Sequence, residues 1–283
     1  MTNCIWYVSG FHRPWEAAVI GNLAAAMKAR IPALQVYVDG GTANLRADGV
    51  LSWNSLTFFE RVSTVLFKGK LWHLWGKAPF WWGLIRLRAR TVHTSLDDVS
   101  EWMGHPTRLF AEQVSQGESV IKPTFEVKVA WAGDDGGADD SSAAVLLAAA
   151  PDEPLREALA EMLMTGISLE ASESDSSLKK GRALFVDGSP SSALLAAYMT
   201  MQGFPVAAYE TPLLQNLLGR GGYLVPRSAE KTAWMEVLDG AMSEAGRSAA
   251  ASARRFLKEN YATSDSADSL EDLYRAVGKK GKP

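Results

Sequence analysis

Apolar and polar positions succeed one another along this chain in blocks that predict strands and helices by turns. Cys4–Val8 is a short apolar run that halts at Ser9-Gly10, as a buried strand would. After Phe11-His12-Arg13-Pro14 a helix is expected from about Trp15 to Arg30, with Ile20, Leu23, Ala24, Met27 and Ile31 at helical spacing. Leu34–Val38 reads as the next strand, closed by Asp39-Gly40-Gly41. Asp48–Phe67 reads as a loop and then a helix through Phe58, Phe59, Val62 and Val65, leading into a strand Leu71–Trp75 and a further strand end at Thr91–Ser95. Pro106–Pro123 has no clear period and is expected to be a linker. Phe125–Ala132 alternates as a strand does, whereas the alanines of Ala143–Ala150 favour a helix over the strand that its hydrophobicity also allows. Asp152-Glu153-Pro154 opens a helix carrying Leu155, Leu159, Met162 and Leu163 on one face, and Ile167–Leu169 is a short strand.

The densest pattern is Arg182–Val225. Ala183–Val186 is an apolar run stopped by Asp187-Gly188-Ser189-Pro190, Ala193–Met201 is helical, and Gly203 stands where a helix C-cap falls. Pro205–Tyr209, Leu213–Leu218 and Tyr223–Val225 continue as strand, helix and strand, the rhythm of a parallel sheet with crossovers. Helical stripes then fill Ala229–Gly246, Ser248–Tyr261 and Asp268–Val277, before a basic GKKGKP end. The fold class expected is α/β, with two Rossmann-like domains expected at 1–118 and 119–262, followed by a helix and tail at 263–283. The first domain is short for such a unit, which implies lost peripheral strands.

Totals change this picture little. The chain has 283 residues, 47% of them hydrophobic and 22% charged, as in ordinary globular proteins. A net charge of -3 supplies no global basic field, so no nucleic-acid partner is expected. The lone Cys4 excludes an internal disulfide, and the N-terminus lacks the basic and apolar regions of a signal peptide; a cytoplasmic location is the expectation. No G-x-G-x-x-G follows the first strand, because Gly10 has no second glycine before Gly21, and this argues against a nicotinamide dehydrogenase.

Ser189-Pro190, Gly203-Phe204-Pro205-Val206 and Gly222-Tyr223-Leu224-Val225 together resemble the donor half of the retaining, nucleotide-sugar-dependent glycosyltransferases of the GT-B fold (group 1, family 4-like). His73-Leu74-Trp75-Gly76 and Thr91-Val92-His93 resemble the acceptor domain of the same family. The resemblance implies two domains facing across a cleft, with C-terminal helices bracing the first. It also implies hexosyl transfer from a nucleotide-diphosphate sugar to a glycan or lipid-linked acceptor, with the sugar nucleotide as substrate and no cofactor. On it, His93 is the catalytic candidate. Gly10, Gly133, Ser189, Pro190, Ser191, Tyr198 and Glu210 are donor-side candidates, and His73, Trp75, Trp81 and Trp82 acceptor-side ones.

The chemistry departs from that pattern. The family's glutamate pair aligns with Pro190 and Tyr198, and no Asp or Glu occurs between Asp187 and Glu210. No Lys or Arg lies between Lys128 and Arg156, where the family's basic pair would stand. That stretch carries Asp134, Asp135, Asp139 and Asp140 instead, a solvated Gly/Asp loop or a divalent-cation site, of which the solvated loop is the general case and no metal is expected. Ser189 and Ser191 read as phosphate donors or as plain helix-capping residues, and His93 and His73 as site residues or as strand-end histidines bonded to backbone. Trp72, Trp75, Phe80, Trp81 and Trp82 beside Arg86, Arg88 and Arg90 read as domain core, a sugar platform, a peripheral membrane contact at the inner face of the membrane, or a protein interface. The alternative to an enzyme is therefore a degenerate member that keeps the fold and binds a glycan or a partner.

Overall fold

The computed structural model describes residues 3–11, 13–40, 49–95, 104–109, 119–123, 125, 144–147, 150–164, 168–171 and 183–279. The chain divides into two compact units, Met1–Val129 with Tyr261–Pro283, and Ala130–Asn260.

The first unit contains β1 (Cys4–Ser9), α1 (Pro14–Arg30), β2 (Gln35–Val38), β3 (Val50–Ser52), α2 (Phe58–Phe67), β4 (Leu71–Gly76), α3 (Trp82–Arg88), β5 (Arg90–Ser95), β6 (His105–Arg108) and β7 (Ser119–Val120). They form one parallel sheet in the order β3-β2-β1-β4-β5-β6-β7. Parallel strands need crossovers, and a sheet covered on both faces needs strands apolar on both sides. β1 and β4 meet that demand with Cys4-Ile5-Trp6-Tyr7-Val8 and Leu71-Trp72-His73-Leu74-Trp75, all of them buried. On one face Val65 of α2 and Trp82 and Ile85 of α3 pack with Ile5, Tyr7, Trp72 and Leu74.

The second unit runs β8 (Ala144–Leu147), α4 (Glu153–Met164), β9 (Ser168–Ala171), β10 (Ala183–Val186), α5 (Pro190–Met201), β11 (Val206–Tyr209), α6 (Pro212–Leu218), β12 (Tyr223–Val225), α7 (Lys231–Met242) and α8 (Glu244–Asn260). Its parallel sheet has the order β12-β11-β10-β8-β9. Helix α5 is buried almost all round, consistent with its run of Ala, Leu and Met, and Gly203 at φ +94° ends it. The last helix, α9 (Thr263–Lys279), belongs to the first unit and packs on α1, where Arg30 pairs with Asp268.

Three sequence expectations need correction. The linker expected at Pro106–Pro123 contributes β6 and β7, so the first sheet has seven strands among the described residues and has not lost its periphery on this side. Strands of four and two residues are too short to show a period, and the sheet edge rather than sequence pattern selects them. The helix favoured for Ala143–Ala150 is strand β8, held between β9 and β10, where burial overrides alanine's propensity. The loop expected after Asp48 contributes strand β3 (Val50–Ser52), while the helix expected after it is α2, with Thr64 and Val65 buried and Phe58 and Phe59 at 74% and 81% exposure. The strand expected at Phe125–Ala132 lies, beyond Phe125, outside the described residues.

Candidate functional site

In a doubly wound sheet, ligands bind outside the carboxyl ends of the strands, where the chain's direction of travel across the sheet reverses. Each unit has one such point. In the first unit it lies between β1, which leads away through α1 to β2, and β4, which leads the other way through α3 to β5. In the second it lies between β8 and β10.

At the β1/β4 point the strands end in Ser9-Gly10 and Gly76-Lys77. Gly10 and Gly76 have φ of +82° and +87°, and a Cβ on Gly76 would sit 1.9 Å from the Ser9 carbonyl oxygen. Only glycine closes this turn. The Lys77 amide donates to that same Ser9 oxygen at 3.1 Å, and the Lys77 stem lies over Gly10. The first turn of α1 already holds an acid: Glu16 accepts from the Arg13 amide at 3.2 Å, so the helix N-terminus beside Gly10 is capped from within.

His93, 2% exposed on β5, places Nε2 2.9 Å from the Gly76 carbonyl oxygen. A carbonyl only accepts, so Nε2 carries a proton and donates it to the Gly76 oxygen. His93 thus steadies the backbone of the crevice. His73 lies differently. Its ring is fully buried, with Nδ1 2.6 Å from the Tyr274 hydroxyl of α9 and Nε2 2.6 Å from Thr94 Oγ1. Thr107 Oγ1 donates to the His93 carbonyl at 2.9 Å, so it must accept from Thr94, and Thr94 in turn must accept from His73 Nε2–H. Every proton in the chain Tyr274, His73, Thr94, Thr107 is thereby assigned with a neutral imidazole. Burial first, and the nearby His93 second, pull the His73 pKa well below its ordinary value.

This geometry removes three of the four acceptor-side candidates. His73 has both nitrogens engaged and no exposed surface, Trp75 stacks on it with ring centroids 4.2 Å apart, and Trp82, the first residue of α3, is 1% exposed. Trp72 is likewise core. Trp81 alone reaches the surface, half-buried between Trp53, stacked at 4.9 Å, and the edge of Tyr7. The aromatic run is therefore mostly the core that two tryptophan-bearing strands require.

At the β8/β10 point Asp187, Gly188, Ser189 and Pro190 form the turn into α5. Asp187 Oδ1 accepts from the Ser189 amide at 2.9 Å, and Ser189 Oγ accepts from the Ser192 amide at 3.4 Å as the N-cap. Burial raises the Asp187 pKa, but hydrogen bonds from the Ser189 amide and from the Ser192 and Ser189 side chains outweigh it and hold the carboxyl below its usual range. Gly188, at φ +82°, lets Thr211 close in from the next strand end. Pro190 is the first helical residue and Ser191 is half-buried beside it. Tyr198 is buried at 1% exposure, eight residues or roughly 12 Å further along the helix. It stands in the core, away from Ser189, because α5 runs back along the inner strands β10 and β11. Glu210, exposed at the end of β11, accepts from the Gln215 amide side chain. Asp152 at the start of α4 accepts from the Tyr209 hydroxyl, whose pKa burial and that carboxylate push up to about 12. Gly133, Asp134, Asp135, Asp139 and Asp140 lie outside the described residues, and among the described residues no three His, Cys, Asp or Glu gather as a metal site.

The strand ends thus bring Gly10 together with Gly76, Lys77 and His93 in one unit, and Ser189, Pro190 and Ser191 with Asp187 in the other. Gly76 entered the sequence reading only as the end of a motif and Lys77 was not a site candidate, because their importance appears only once β1 and β4 are known to be neighbours. Asp187 could have been singled out: an Asp-Gly-Ser-Pro turn ending an apolar run is a local signal.

No protein-family model and no curated protein sequence matches the chain. Solved structures do resemble it. A glycosyltransferase from Rickettsia africae ESF-5 superposes with a TM-score of 0.62 at 11% identity, covering 99% of this chain and 100% of that one. AviGT4, a glycosyltransferase involved in avilamycin A biosynthesis, gives 0.59 at 11% identity over 98% of each chain. The S. aureus MnaA–UDP co-structure gives 0.57 at 11% identity over 100% of this chain and 99% of that one. What is shared at such identity is the fold, and it is of the GT-B class, with two Rossmann-like domains in one chain.

Proposed function

We propose that this chain is a glycosyltransferase-like protein that binds a nucleotide-diphosphate sugar in its second unit and transfers the sugar to a glycan or lipid-linked acceptor held by its first. The observation that carries the reading is the pair of doubly wound sheets, each with a glycine-shaped turn at its reversal point, in a chain resembling glycosyltransferases over nearly its whole length. Donor contact is assigned to the Asp187–Ser191 turn, with Ser189 and Ser191 beside the first turn of the twelve-residue α5, whose dipole favours phosphate oxygens. His93 is assigned to the acceptor side, its protonated Nε2 fixing the Gly76 carbonyl. A retaining course of reaction is part of the same proposal.

A second reading is favoured by a specific observation. Asp152, Asp187 and Glu210 all stand at strand ends or helix starts of the second unit, while Pro190 and Tyr198 occupy the positions of the expected glutamates. Carboxylates facing a diphosphate oppose it, and their repulsion falls only with solvent screening or a cation. On this reading the fold binds a glycan or a partner subunit without turnover.

Nucleotide release from a panel of UDP- and GDP-sugars, with glycan and lipid-linked acceptors, separates the two. Release that depends on acceptor and falls at least about tenfold in His93→Ala supports transfer. Glycan binding with no nucleotide release in any pairing supports the second reading, and release unchanged in His93→Ala removes the role given to that residue.

A further inference from the structure

Among the described residues, every large apolar side chain that stands exposed lies between Leu51 and Leu87. Phe58, Phe59 and Phe67 of α2 are 74, 81 and 79% exposed, Phe80 is 100%, and Leu84 and Leu87 of α3 are 51 and 82%. The two helices cover the same face of the first sheet, since Val65, Trp82 and Ile85 share one core beneath them, so their outer sides turn the same way. Isolated exposed apolar residues need no explanation, but a concentration of this kind on adjoining helices marks a docking surface.

Charge says what docks there. Residues 51–90 hold seven Lys and Arg and one Glu, in a chain whose net charge is -3. Glu60 is tied into the cap of α2 with Thr57, and Arg61 and Arg88 bind backbone carbonyls. Lys68, Lys70 and Arg86 stand exposed around the apolar side chains. A hollow of about 970 Å³ opens beside Phe67, with Lys70 and Arg90 in its lining and no carboxylate among its described lining residues. Apart from Phe67, which borders the hollow, these rings project outward instead of lining a groove. A fluid acyl layer accepts projecting rings without shape complementarity, and cations flanking them meet lipid phosphates. No helix among the described residues is long and apolar enough to cross a membrane, so attachment by this face is interfacial.

We propose that the first unit docks on an anionic lipid bilayer through the outer faces of α2 and α3, with Phe59, Phe67, Phe80 and Leu87 inserted and Lys68 and Lys70 at the phosphates. This surface differs from the tryptophan-rich one expected from sequence: the tryptophans are mostly core, and phenylalanine and leucine form the contact. The proposal stands apart from the nucleotide-sugar reading, because neither reversal point contributes a residue to it.

Cosedimentation of the full chain with vesicles tests it. The protein is expected to bind phosphatidylcholine vesicles containing phosphatidylglycerol, and not pure phosphatidylcholine ones. Phe59→Ser with Phe80→Ser and Leu87→Ser should weaken binding by more than about tenfold, and Lys68→Glu with Lys70→Glu by about tenfold. All these positions are exposed, and an unchanged unfolding midpoint will show that each variant folds. Absence of vesicle binding overturns the proposal, as does equal binding to neutral vesicles or binding unaffected by the apolar variant. So does concentration-dependent dimerisation in sedimentation velocity that the apolar variant abolishes while vesicles bind nothing, which would make the face a contact between copies.

Discussion

Gly76 and His73 carry more of the first unit than their size suggests, and both make sharp predictions. A Cβ at position 76 would meet the Ser9 oxygen at 1.9 Å on a backbone of φ +87°, so Gly76→Ala must open the β1/β4 turn. Denaturant titration should show a loss of at least about 2 kcal/mol. His73 is neutral and buried in the fold but free to protonate in the unfolded chain. Its folded pKa is lowered, so its share of stability is fully present above the unfolded value near 6.5 and is lost as pH falls below it. The slope is about 1.4 kcal/mol per pH unit at most. Unfolding measured at several pH values should find His73→Gln less stable at neutral pH but less steeply weakened by acid. Parallel curves for variant and parent would contradict the assignment of a neutral His73.

At the scale of elements, Arg88 joins α3 to α2. Its guanidinium donates to the carbonyls of Thr64, Val65, Lys68 and Gly69, closing the C-terminus of α2 across the sheet face. Arg88→Lys keeps the charge and loses the fork, and should cost about 1.5–3 kcal/mol in chemical denaturation. The helices and the long apolar strands were legible in the sequence: α1, α7 and α9 follow their apolar spacing, α5 its run of Ala, Leu and Met, and β1, β4 and β10 their unbroken apolar runs. Strands β6 and β7 were not, being too short to carry a period, and β8 was hidden by alanine. The site was legible in part for a related reason. Turns written locally, such as Asp187-Gly188-Ser189-Pro190, can be read from neighbours in sequence. A crevice made by Gly10 and Gly76 needs the strand order, and whether Trp75 or Trp81 faces solvent depends on helices packed from elsewhere in the chain.

For the whole molecule, two doubly wound units of the GT-B class supply two reversal points, and the docking face on α2 and α3 belongs to neither. The central claim is that the fold still holds a nucleotide-diphosphate sugar although no carboxylate lies on α5 and Asp187 stands at its start. Titration calorimetry of the intact protein with UDP- and GDP-sugars tests it most directly, with and without a divalent cation. The account predicts saturable binding with a Kd below about 1 mM for at least one donor. It also predicts clear weakening in Ser189→Ala with Ser191→Ala, at most about 1–2 kcal/mol of which could be lost stability from the cap. No heat from any donor at millimolar concentration, with or without the cation, would contradict it.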